Sequence, residues 1–106
     1  ALYQSCGIES TEGLIVADLR RGENFSAIME DRGDFDNAGV REEVLTAAAS
    51  LMEKHPDIGA FLLECSDMPP YAYAIQAAVK RPVFDFITLI NWLENSVMQR
   101  PYDGWI

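Results

Sequence analysis

The chain has 106 residues, 49% of them hydrophobic, enough for one compact unit with a modest core. A formal net charge of -9 repels phosphate backbones and anionic lipid, which argues against nucleic acid and membrane surfaces as partners. No apolar run approaches the ~20 residues needed to cross a bilayer, and Cys6 and Cys65, without CxxC spacing, suit free thiols in a cytoplasmic protein better than a disulfide scaffold.

In chain order, ALYQSCGIES lacks the basic start and apolar centre of a signal peptide. GLIVADL (13–19) is short and apolar, lies between Gly13 and the charged RRGE, and predicts a buried strand. The stretch 21–36 holds at most a short helical turn around Phe25 and Ile28. From Asn37 to His55 a helical stripe runs through Val40, Val44, Leu45, Ala48, Leu51 and Met52. Asp36 or Asn37 suits its N-cap, Glu42 and Glu43 its positive end, Lys54 and His55 its negative end, and Pro56 stops it. IGAFLLEC (58–65) and PVFDF (82–86) read as two further strands. A helix is predicted from Pro69 to Lys80, with Ala72, Ile75, Ala78 and Val79 inward. Another is predicted from Phe86 to Gln99 through Ile87, Ile90, Leu93 and Val97. Strands alternating with helices predict an α/β fold: an open, mainly parallel sheet with flanking helices, in one domain spanning 1–106.

Such sheets bind ligands outside the carboxyl ends of their strands. Cys65 ends a predicted strand and precedes a predicted helix, which Ser66 or Asp67 would cap and whose first turn Pro69 and Pro70 suit. Free N–H groups and a positive helix end near the sulfur favour a thiolate and a carboxylate ligand alike. The plainer alternative is a small apolar residue closing a strand. Cys6 has no strand-to-helix junction around it, and His55, the only histidine, fits a helix end better than a catalytic pair. An anion loop would need an arginine where SDMPPYA stands, and a redox pair a second cysteine at Met68. The residues supply no set of Cys and His ligands for zinc, DRGDFDNAG does not align with a calcium loop, and no GxGxxG or Walker sequence occurs. No metal or cofactor is therefore expected.

ECSDMPPYAYAIQ followed by RPVFDFITLINW resembles a branch of the aspartate/glutamate racemase family, which reads close to E-C-T-N-M-P-P-Y-A, then P-V-F-D and a threonine. The matching residues are Glu64 to Ala72, Pro82 to Asp85, and Thr88; GIE and ENFSAI fit upstream. The resemblance implies a cofactor-independent racemase or isomerase, with this chain as the C-terminal half-domain of a two-domain fold. Cysteine acid/base chemistry would act at a carbon alpha to a carboxylate. Cys65 would be the catalytic thiol of this half, with Ser66, in place of the usual threonine, and Asp67 at substrate-binding positions. The implied partners are a small carboxylate such as an amino acid and the N-terminal half-domain of the same protein, without which this half is expected to be inactive. Some members of the family decarboxylate instead, and others isomerise maleate or racemise hydantoins.

The competing expectation is a non-catalytic acidic module that binds another chain or forms a homodimer. Leu89, Ile90, Trp92, Leu93 and the terminal PYDGWI would supply its surface. Ordinary packing of Leu89 to Leu93 against the sheet is the favoured alternative for that helix, whereas Trp105 would pack on a neighbour or fray.

Overall fold

The structure is a computed structural model and describes residues 2–104. Its elements are α1 (Leu2–Ser5), α2 (Phe25–Met29), α3 (Asn37–Lys54), β1 (Phe61–Leu62), a 3₁₀ turn (Pro69–Tyr71), α4 (Ala72–Val79), β2 (Val83–Phe84) and α5 (Phe86–Val97).

Helix α3 forms where the sequence places it, because its signals are local. The Asp36 side chain accepts the Ala38 N–H at 3.0 Å, and Val40, Val44 and Ala48 put one stripe into the core. At the other end the His55 N–H bonds to the Leu51 carbonyl at 2.8 Å, with His55 already out of helical conformation. Pro56 crowds the α region for the residue before it, so the helix stops there.

β1 and β2 pair in parallel, Phe61 with Val83 and Leu62 with Phe84, and α4 crosses between them. The ladder is held by Phe61 N–H to the Pro82 carbonyl at 2.9 Å and Leu63 N–H to the Phe84 carbonyl at 2.8 Å. The core forms where α3 and α4 meet this unit: Phe25, Val40, Val44, Ala48, Leu63, Met68, Tyr71, Ile75 and Val79.

The expected open, mainly parallel sheet is not what forms. Roughly half of the described residues are helical, and among them one sheet of two very short strands occurs. Segment 13–19 has no regular structure, and Val16 is 76% exposed. A strand exists only where a neighbour supplies ladder hydrogen bonds, and among the described residues no strand pairs with 13–19. The runs 58–65 and 82–86 shrink to the two residues each that find a partner.

The expected packing of Leu89 to Leu93 on the sheet also fails. Asp85 caps α5 through the Thr88 N–H at 2.8 Å, yet the helix has no buried residue, and Trp92 is 66% exposed. Total accessible surface is 8568 Å², against roughly 5,900 Å² for a compact monomer of 11.8 kDa. Trp105 lies outside the described residues.

One tertiary contact replaces the electrostatic role expected of Glu43. From α3 its carboxylate accepts the N–H groups of Asn24 at 2.7 Å and Phe25 at 2.9 Å, and the Asn24 side-chain amide at 2.9 Å. It thereby satisfies donors at the start of α2. The approach is close: a Cβ on Gly22 would meet the Glu43 carboxylate, and one on Gly39 would sit 2.7 Å from the Asn24 side chain. Burial opposes the charge on Glu43, but the N–H groups of Asn24 and Phe25 outweigh it and its pKa is lowered. A depressed carboxylate pKa stabilises the fold above the unfolded value of ~4.3, and that contribution is lost as pH falls through the folded value. We therefore expect Glu43→Gln to cost about 2 kcal/mol at pH 7. In urea unfolding, the gap between variant and parent should narrow as the pH is taken below that range.

Candidate functional site

The thiol of Cys65 stands at the carboxyl end of β1, two residues past Leu63, whose N–H makes the final ladder bond described above. Leu63 is buried, Cys65 is half-buried, Ser66 and Asp67 are exposed, and Met68 is buried. The Met68 N–H closes a turn onto the Cys65 carbonyl at 3.1 Å, and the Tyr71 N–H bonds to the Met68 carbonyl at 2.9 Å. Core residues therefore anchor the exposed residues on both sides.

Ser66 and Asp67 do not cap a helix. The two prolines set the chain into the 3₁₀ turn before α4 begins, and neither that turn nor α4 has a side-chain cap. Asp67 instead accepts the Cys65 S–H, with Sγ 3.7 Å from Oδ2. The N–H groups of Ser66 and Asp67 take no part in the turn and have no partner among the described residues. They stand free beside the sulfur as donors for a small anion.

Behind the turn, the Tyr71 hydroxyl donates to Asn37 Oδ1 at 2.8 Å, joining this segment to the first residue of α3. Burial, and then the charge of Asp67, pushes the Tyr71 phenol above its ordinary value. The folded chain then keeps a proton that the unfolded chain releases. This contribution to stability is complete below about pH 10 and lost as pH rises through the folded value. An ultraviolet phenolate titration should show one of the four tyrosines ionising late. The late step should vanish in Tyr71→Phe and on unfolding in urea.

Cys65, Ser66 and Asp67 are thus brought together, whereas Cys6 is exposed in the turn after α1 and His55 closes α3. Two shallow surface concavities, of about 540 and 560 Å³, lie elsewhere. One runs along Tyr73, Gln76 and Arg81, the other along Asn24, Gly39 and Glu43. Neither includes Cys65. Among the described residues no group of three His, Cys, Asp or Glu could hold a metal ion, and no helix is long and apolar enough to cross a membrane. The contact between Tyr71 and Asn37 was not expected from the sequence, because their side chains meet across 34 positions, a separation that carries no local signal.

No protein-family model matches the chain, and no solved structure matches it. Curated proteins do. Dimethylsulfoniopropionate lyase 7 of Emiliania huxleyi (strain CCMP1516) is 33% identical over 109 residues, covering 97% of this chain and 31% of the relative. Dimethylsulfoniopropionate lyase 6 of the same organism is 32% identical, covering 97% and 28%. A dimethylsulfoniopropionate lyase of Durusdinium sp. clade D is 26% identical over 102 residues, covering 95% and 34%. The chain therefore spans about a third of the length of the curated relatives it matches. These relatives are named as lyases, not as aspartate/glutamate racemases. That overturns the expected racemase family and activity, for which the stretch around Cys65 was the most specific part of the resemblance. The non-catalytic module is no better supported.

Proposed function

We propose that this chain is the thiol-bearing part of an enzyme that cleaves dimethylsulfoniopropionate. The observation that carries the reading is similarity to lyases of that name along nearly the whole chain. The arrangement at Cys65 supports it. Dimethylsulfoniopropionate has a carboxylate at one end and a sulfonium leaving group on the carbon beta to it. A base that takes a proton from the alpha carbon leaves an electron pair there. That pair becomes the carbon–carbon double bond as the carbon–sulfur bond breaks, giving acrylate and dimethyl sulfide.

Cys65, as thiolate, is the base. The Ser66 hydroxyl and the free N–H groups of Ser66 and Asp67 hold the substrate carboxylate next to the proton to be removed. Asp67, 3.7 Å from the sulfur, has the charge to face the sulfonium, which lies one carbon beyond the alpha position. The substrate class thus stays a small carboxylate, now with a cationic far end.

The second wall of the cleft comes from polypeptide of the same protein beyond this span, an assignment supported by the greater length of the relatives and by the unburied apolar face of α5. The two free thiols suit the reducing conditions of a cytoplasm. The test is direct: protein of the relatives' length that contains this span is incubated with dimethylsulfoniopropionate, and headspace dimethyl sulfide and acrylate are measured. Equal amounts of the two products are expected. A folded protein that releases neither overturns the reading.

A further inference from the structure

We infer that an apolar surface running from the outer face of the β1–β2 pair into the stripe of α5 seats polypeptide of the same protein beyond this span. The inference rests on the assignment of a second wall to that polypeptide, and adds the surface on which it sits.

The surface follows from the pleat. Successive residues of a strand face opposite sides, and Phe61 pairs with Val83 as Leu62 does with Phe84. Phe61 and Val83 pack against the core that α3 and α4 supply. Leu62 and Phe84 therefore share the other side, where they are 72% and 52% exposed. Parallel strands are ordinarily covered on both faces, and this chain covers one of them. The bare face leads straight into α5, since Asp85 alone separates it from Phe84. On that helix Phe86, Ile90, Leu93 and Val97 recur at helical spacing and form one stripe, all of it exposed. Glu94 is the only charged residue of α5. The cover that fits such a surface is apolar.

Area and length identify the occupant. The accessible surface of the chain exceeds that of a compact monomer by roughly 2,700 Å², against the ~800 Å² per partner of a standard interface. A surplus of that scale matches an obligate contact rather than a transient one. The curated relatives align with nearly the whole span, so they carry the same elements with about two thirds of a chain to cover them. A second copy of this chain fits less well, because it brings a further formal charge of -9. Leu62 lies three residues before Cys65, so whatever rests on this face also borders the thiol turn.

Photocrosslinking in protein of the relatives' length tests this. p-Benzoylphenylalanine replaces Phe84 or Phe86, which keeps an aromatic ring at each position. Tyr73, exposed on α4 over the opposite face, is the reference position. Irradiation at Phe84 and Phe86 should give crosslinks to peptides outside residues 1–106, within one molecule, and Tyr73 should give far fewer. If these variants fold poorly, hydroxyl-radical footprinting of the unsubstituted protein serves. Phe84 and Phe86 should then be oxidised roughly 5-fold more slowly than in urea, the protection of a packed interface core, with Tyr73 near its unfolded rate. Crosslinks confined to residues 1–106, or joining two molecules, overturn the inference. So does an equal yield at Tyr73, or protection no greater than the half-burial of Phe84 and Phe86 within this chain already gives. Failure to release dimethyl sulfide would overturn the lyase reading but not this one, because neither measurement depends on catalysis.

Discussion

Cys65→Ala, in protein of the relatives' length, is expected to lower the rate of dimethyl sulfide release by about 10²- to 10⁴-fold, the usual contribution of a positioned acid or base. KM should change little, because the groups assigned to the substrate carboxylate are the Ser66 hydroxyl and two backbone N–H groups, all still present. Cys6→Ala is the control. Cys6 is exposed beyond α1, away from any strand end, and its loss should leave the rate within experimental scatter. Asp67→Asn should separate the two ends of the substrate. It should raise KM for the sulfonium compound while leaving inhibition by acrylate, which has only the carboxylate, unchanged. Activity persisting in Cys65→Ala would remove the thiol from the chemistry.

Ile75→Ala and Ile90→Ala should differ sharply in their effect on stability. Ile75 on α4 is 1% exposed and packed in the core, so its truncation should cost about 2–5 kcal/mol. Ile90 on α5 is 50% exposed and the helix buries no residue, so the same change there should stay within about 0.5 kcal/mol. Urea unfolding of the 106-residue chain measures both. In protein of the relatives' length the contrast should shrink, with Ile90→Ala becoming costly as the α5 face is covered. An Ile90→Ala cost in the chain alone that equals Ile75→Ala would mean that α5 packs inward after all.

What was legible before the structure, and what was not, divides by the range of the interaction. The limits of α3 are readable because Asp36, the apolar repeat and Pro56 act within one or two turns of the ends they set. The start of α5 at Asp85 is readable for the same reason. An apolar run such as GLIVADL states that a segment prefers to be covered, but not by what. Among the described residues only Leu19 of that run packs against the core, and Leu14, Ile15 and Val16 stay exposed. Glu43 looked like a charge at a helix end and is in fact the acceptor for Asn24 and Phe25, from a distant part of the chain. The stretch ECSDMPPYAYAIQ drew attention to Cys65, but it pointed to a racemase, whereas the relatives that match along nearly the whole chain are named as lyases.

The sequence alone determined the helices with local caps, the acidic surface, and the thiol followed by Ser66 and Asp67, because each depends on residues within a few positions of one another. Tertiary structure decided the rest. It paired only Phe61–Leu62 with Val83–Phe84, turned Asp67 from a helix cap to the sulfur, and tied Tyr71 to Asn37. Hydrophobicity has no direction and a hydrogen-bonding group accepts many partners. Which surface is covered, and which donor meets which acceptor, follows only once the chain has brought distant residues together.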